Sequence, residues 1–230
     1  MLNNRLATIA KYITPNSNVV DVGTDHALLP IFLIQNGLSS KVVGVELNRG
    51  PYLKAKDNVA TLGLDKYIDL RLGDGLEPVL NDKVNIIVIA GMGGKTIIEI
   101  LKRATSLLKK VDRVILQPMN GCELVRNYLH FTKGLTLADE DIVMENDRLY
   151  EIIIAEPGIS QDFDDMLIEI GPILFRKKHP LFPMLLEKKI QRYRKIANNL
   201  DKSNKITVKD KVRYYDTKAN CLEKVLVSCL

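Results

Sequence analysis

The chain has 230 residues, 46% hydrophobic and 27% charged, with a mean hydropathy of −0.01, which excludes a disordered or fibrous protein and leaves room for one α/β core with an appendage. Its net charge of +5 is uneven: residues 1–159 hold 18 basic and 19 acidic residues, residues 160–230 hold 15 and 9, so the carboxy-terminal part carries the basic surface expected to meet phosphate. No apolar run is long enough to span a bilayer, and the three cysteines are odd in number and lack C-x-x-C spacing, which argues against a zinc site and predicts a cytoplasmic protein with reduced thiols.

The amino-terminal MLNNRLATIAKYI reads as an amphipathic helix without a secretory core. From Val19 onward, runs rich in Val and Ile alternate with helix-length segments, the pattern of βαβ units on a parallel sheet. VVDVG, VVGVEL, IDLRL, VNIIVIA and DRVILQP are the predicted strands, with helices near residues 27–37, 50–63, 94–109 and 121–132. IAGMGGKT, after the fourth strand, looks like a triphosphate-binding loop. The spacing fails, because Ile89 stands where G-x-x-x-x-G-K-[ST] requires its first glycine. LTLADEDIVMEN and RLYEIIIAEPG, joined through Asn146 and Asp147, predict a hairpin that sets the last strand antiparallel at one side of the sheet.

Pro157 and Gly158 break this pattern, and a domain boundary is expected near 158, giving an α/β domain over 1–158 and a helical domain over 159–230. Leu186, Ile190, Tyr193, Ala197 and Leu200 recur at spacings of three and four, as do Val208, Val212, Tyr215, Ala219, Leu222 and Leu226. Two helical seams joined by the short DKSNKIT predict an antiparallel, coiled-coil-like hairpin with Lys and Arg outward.

In open parallel sheets, ligands bind beyond the carboxyl ends of the strands. All five predicted strands end in polar or glycine-rich loops: DVGTDHALLP, Glu46, GDG at 73–75, AGMGG and QPMNG. Glu46, at the tip of the second strand, suits the two hydroxyls of a ribose, while Asp74 and Gly75 suit an adenine amino group and close approach to its ring, with Leu47 and Leu76 placed to sandwich that ring. Gly23 permits close approach at the first loop. Asp21 and Asp25 would repel a pyrophosphate but suit a ligand bearing an ammonium or sulfonium charge, which favours S-adenosyl-L-methionine over NAD.

At these residues the chain resembles class I S-adenosylmethionine-dependent methyltransferases, and among them the bacterial tRNA adenine-22 N1-methyltransferases; DVGTDHALLP, VVGVELNRGP, LGDGLEP, IAGMGG and LQPM carry the likeness along essentially the whole chain. The resemblance implies a Rossmann-like seven-stranded sheet, S-adenosylmethionine at the first three strand ends, tRNA as partner and methyl transfer to N1 of an adenine. Two departures stand out: Asp25 and Ala27 occupy places where later glycines of the first loop usually stand, and no [DN]-P-P-[YF] follows the fourth strand.

In this reading Arg5 clamps the cofactor carboxylate, Ala90 and Gly91 close the cofactor site, and Met92, Gly93, Gly94, Gln117 and Pro118 face the substrate base. Asp25, His26 and Asn120 are the candidates to act on that base. Each has a plainer role open to it: Asp25 holding the cofactor, His26 or Asn120 capping a helix; Arg5 is equally open to being a surface arginine on the first helix. Lys188, Lys189, Arg192, Arg194 and Lys195 are expected to meet tRNA phosphates, no metal is expected, and the chain is expected to act as a monomer. The alternatives are a methyltransferase for another RNA site and a non-catalytic RNA-binding protein on the same scaffold.

Overall fold

The computed structural model describes residues 2–159, 161–202 and 208–229. Helix α1 (Asn4–Ala10) precedes the units β1 (Asn18–Val22) and α2 (Leu28–Gln35), β2 (Lys41–Glu46) and α3 (Arg49–Thr61), and β3 (Ile68–Leu72) with the 3-10 turn Glu77–Val79. Then come β4 (Ile86–Gly93), α4 (Gly94–Arg103) and α5 (Thr105–Leu108), β5 (Arg113–Asn120) and α6 (Cys122–Phe131), and the strands β6 (Gly134–Glu145) and β7 (Arg148–Gly158). Helices α7 (Asp165–Ile170), α8 (Pro172–Arg176), α9 (Phe182–Asp201) and α10 (Lys209–Cys229) complete the described chain.

The seven strands form one sheet in the order β3-β2-β1-β4-β5-β7-β6. β1 to β5 are mutually parallel, and β7 runs antiparallel to both β5 and β6. The last strand is therefore antiparallel as expected, but it lies inside the sheet and leaves β6 at the edge. Asn146 and Asp147 take φ of 48° and 60°, and two consecutive left-handed residues are what a tight hairpin turn requires.

Burial explains why the strands read as nearly continuous apolar runs. Ile9, Ile13, Leu29 and Leu33 of α1, its carboxyl flank and α2 pack with Val19, Val42, Ile86, Val88, Ile115, Ile152 and Ile154 on one face. Ile87 and Ile89 are fully buried on the opposite face, which α4 and α6 cover. Among the described residues, no helix is long and apolar enough to cross a membrane.

The chain divides into compact units at Met1–Pro172 and Ile173–Leu230, beyond the expected boundary near 158. Pro157 and Gly158 end β7 without ending the first unit, because α7 packs on α6 and Arg126 Nη1 donates to the Glu169 carbonyl at 3.4 Å. The later division sharpens the charge asymmetry: 18 basic against 23 acidic residues in the first unit, 15 against 5 in the second, hence −5 and +10.

In the second unit α9 and α10 pack along their lengths. Tyr193 lies eight residues before the end of α9 and meets Tyr215, six residues after the start of α10, at 5.8 Å between ring centroids, a pairing that requires the helices to fold back antiparallel. Residues 203–207 of the predicted connector lie outside the described residues.

Candidate active site

Glu46 is the hub of the strand-end loops. Its side chain is buried, Oε2 accepts from the Asp25 amide at 3.2 Å and Oε1 from the Asn48 amide at 2.9 Å. Its carbonyl accepts from Gly73 N at 2.9 Å, and the neighbouring Val45 carbonyl accepts from Gly23 N and Thr24 N at 2.8 and 3.1 Å. One strand end thus fixes the first and third loops together. A carboxylate offers about four lone-pair positions, so acceptor capacity remains beyond these two bonds.

The first loop turns sharply, with φ of 73° at Gly23, 50° at Asp25 and 56° at Ala27. The two non-glycine departures noted in the sequence therefore keep a glycine-like backbone, held by Glu46 and by Ala27 N donating to the Thr24 carbonyl at 2.8 Å. Asp21 beneath this loop is fully buried, and burial raises its carboxyl to about 6 despite the opposing pull of Arg5. A buried acid poorly matched by cations suits a ligand that brings its own positive charge.

The third loop carries Asp74, whose Oδ2 accepts from Arg103 Nη1 at 2.6 Å; this bond holds its carboxyl below the usual range. Gly75, at φ 57°, lies against Ile100 of α4. Leu47, next to Glu46, is an exposed apolar side chain, 60% accessible.

AGMGG is a bulged strand end where a plain turn was expected. The β4–β5 register shifts between Ala90 and Met92 and again before Gly93, leaving Gly91 unpaired at φ 77°. Gly91 N donates to Gln117 Oε1 at 3.1 Å, and Arg5 Nη1 donates to the same oxygen at 2.6 Å. Gln117 and Pro118 are buried, so they shape the bulge from beneath and do not face a base as expected. Gly94 is corrected likewise: a Cβ there would stand 2.6 Å from the Gly121 carbonyl oxygen, so the glycine serves the close approach of α4 to α6. Met92 folds back over the first loop, with its Cε 2.4 Å from where a Cβ on Gly23 would lie.

The plainer capping roles of His26 and Asn120 fall away. Ala27 and Gly121 are the N-caps of α2 and α6, and neither helix has a side-chain cap. Asn120 is exposed at the tip of β5, with Oδ1 3.5 Å from a Cβ built on Gly93, while His26 Nε2 lies 3.7 Å from Asp25 Oδ1. Arg5 is half-buried, with its amide on Glu145 Oε1 at 3.1 Å and its guanidinium 5.7 Å from the Tyr150 ring centroid. Glu145 and Tyr150, on either side of the hairpin turn, thus join the rim, which nothing in their local sequence announced.

The charged residues expected on α9 separate into two kinds. Lys188, Arg192 and Lys195 are exposed and Lys189 is half-buried. Arg194 is a correction: it donates to Asp216 Oδ1 at 3.0 Å, Asn220 Oδ1 at 2.5 Å and Glu223 Oε1 at 3.0 Å, so it ties α9 to α10.

A 3-2-1-4-5-7-6 sheet, with carboxylates at the tip of β2 and after β3 and a buried acid below the first loop, is the architecture of a class I S-adenosylmethionine-dependent methyltransferase. The chain is 36% identical over 186 residues to the tRNA (adenine(22)-N(1))-methyltransferase of Bacillus subtilis, covering 79% of this chain and 78% of that one. A Streptococcus pneumoniae structure in complex with S-adenosyl-L-methionine superposes with a TM-score of 0.84 at 32% identity, over 98% of this chain and all of that one. The Mycoplasma capricolum TrmK structure holding S-adenosyl-homocysteine gives 0.85 at 28% identity over the whole of both chains. The family described as tRNA (adenine(22)-N(1))-methyltransferase matches residues 19–221, and the chain belongs to it.

Proposed function

We propose that the chain methylates N1 of adenine 22 in tRNA, as a cytoplasmic monomer, with the catalytic site in residues 1–172 and the tRNA grip in residues 173–230. The observation that carries the reading is Glu46, a buried carboxylate that locks two loops and keeps two acceptor positions beside an uncharged bulge.

S-adenosylmethionine supplies an electrophilic methyl on its sulfonium. Glu46 orients the ribose, Asp74 and Leu47 the adenine, and Asp21 and Arg5 the charged end of the methionine part. Gly91 and Gly93 bring backbone without side chains, and Ala90 only a methyl, to the transfer point, so a flat base can approach. N1 of adenine has an in-plane lone pair, so alignment and exclusion of water matter more than a strong base. Asn120, Asp25 and His26 lie at the rim where they can hold the extruded base by its Watson–Crick edge. A carboxylate at Asp25 also accepts from the N6 amino group as positive charge develops on the ring.

The test uses two tRNA transcripts differing only at position 22, incubated with labelled S-adenosylmethionine and analysed by nucleoside mass spectrometry. The adenine form should yield 1-methyladenosine at that position and the guanine form none, because guanine N1 carries a proton and has no lone pair to attack with. Label on the guanine form, or at N6, sinks the assignment.

A further inference from the structure

The helical unit carries an aromatic cluster beside its apolar seam. Tyr193 of α9 and Tyr215 of α10 are seam positions, their rings tilted by 36°. Tyr214 is one residue away, about 100° round the helix, and is 54% exposed. Its ring stands edge-on to Tyr215, with centroids 5.2 Å apart and planes at 76°. Lys218 Nζ lies 4.9 Å from the Tyr214 centroid and 5.6 Å from that of Tyr193.

Tyr214 is thus braced by a neighbouring ring and an ammonium while half its surface meets water. An aromatic residue needed only for packing would turn inward, as Tyr193 and Tyr215 do. Lys211, Tyr214 and Lys218, three and four residues apart, fall on one face of α10, and Lys211 and Arg213 are exposed. The unit around them has 15 basic residues against 5 acidic ones. A cationic surface with a half-exposed aromatic ring, Lys218 lying over one of its faces, matches a polyanion that also offers flat rings, namely single-stranded nucleic acid.

We propose that Tyr214 is a stacking platform for an unpaired nucleobase of the tRNA, with Lys211 and Lys218 placing positive charge beside the flanking phosphates. The inference rests on the assignment of residues 173–230 to tRNA binding. Stacking is non-ionic and tolerates any base, so the platform adds affinity without adding to the salt dependence that phosphate contacts create.

Full-length protein carrying Tyr214→Ala, Tyr214→Phe or Tyr214→Trp is titrated with tRNA across a salt series, with cofactor affinity as the check of folding. Tyr214→Ala should bind tRNA roughly 5- to 150-fold more weakly with an unchanged log–log salt slope, and both aromatic replacements should restore binding. The chain contains no tryptophan, so Tyr214→Trp supplies a single indole that can be excited apart from the tyrosines, and tRNA should quench its emission where a blunt RNA duplex should not. Unchanged affinity in Tyr214→Ala, or bound tRNA without quenching, overturns the proposal. Arg192→Ala with Lys195→Ala tests the underlying assignment separately: lower affinity and a shallower slope support it, and no change in either removes it.

Discussion

Glu46 shows how one residue can serve fold and function together. Its two oxygens hold backbone amides of two loops, and in the proposed site they also receive the ribose, so Glu46→Ala should weaken S-adenosylmethionine binding by about 2–4 kcal/mol through two lost charge-assisted hydrogen bonds. Calorimetry on the folded variant that finds wild-type affinity would remove Glu46 from the site. Asp21 makes a prediction about pH. Its native carboxyl sits near 6 against an ordinary 3.8, because burial disfavours the charge. Between these values the native state binds more protons than the unfolded state, so this group makes stability fall as pH rises, and the loss is complete above about pH 6. The gap between the two values is worth about 3 kcal/mol. Asp21→Asn should flatten the urea-unfolding profile between pH 4 and 7 without cofactor, and an unaltered profile contradicts the buried-acid reading.

At the scale of elements, the hidden brace is Arg126. It lies on the inner face of α6 with Cys122, Val125 and Leu129, fully buried, donating to Glu140 Oε1 of β6 and Glu151 Oε2 of β7, each at 2.5 Å. Burial lowers its pKa, but the two carboxylates more than reverse this and raise it above the ordinary value. The triad joins α6 to the hairpin and, through Glu169, to α7. Arg126→Leu removes the cation shared by two buried carboxylates and should cost about 3–5 kcal/mol at neutral pH, with part regained when Glu140 and Glu151 become Gln; urea denaturation reads both. Helix α4 begins at Gly94 beside Gly121 and ends at Arg103 on Asp74. Arg103→Ala should weaken S-adenosylhomocysteine binding yet leave an analogue lacking the adenine amino group unaffected. Equal weakening of both would mean that Arg103 acts elsewhere.

For the whole molecule, charge divides along the structural boundary: −5 up to Pro172 and +10 after it. A chain ending at Pro172 should keep cofactor affinity and lose most tRNA affinity. If about four cations of the second unit meet phosphates, full-length binding should fall with salt at a log–log slope near −3 to −4. Normal methylation by the shortened chain, or salt-independent binding, contradicts this division of labour.

The sequence by itself determined the strands, the hairpin turn, both helical seams and the polar and glycine-rich loops at the strand ends. These are local signals: β-branched runs, two turn residues together, a three-and-four spacing, and glycine or carboxylate just past a strand. Only the tertiary structure decided that β7 inserts between β5 and β6, that the first unit runs on to Pro172, and that Gln117 and Gly94 serve the bulge and a helix contact. It also decided that Arg194 is spent within the hairpin. Arg103 and Asp74 stand 29 residues apart, and Arg126 and Glu151 25, so no period or motif connects them. One clue was available, a charged residue on the apolar stripe of α6. Its meaning depended on which acids the sheet brought beneath it, because a buried charge is defined by its partners in space and a helix or strand by its neighbours in sequence.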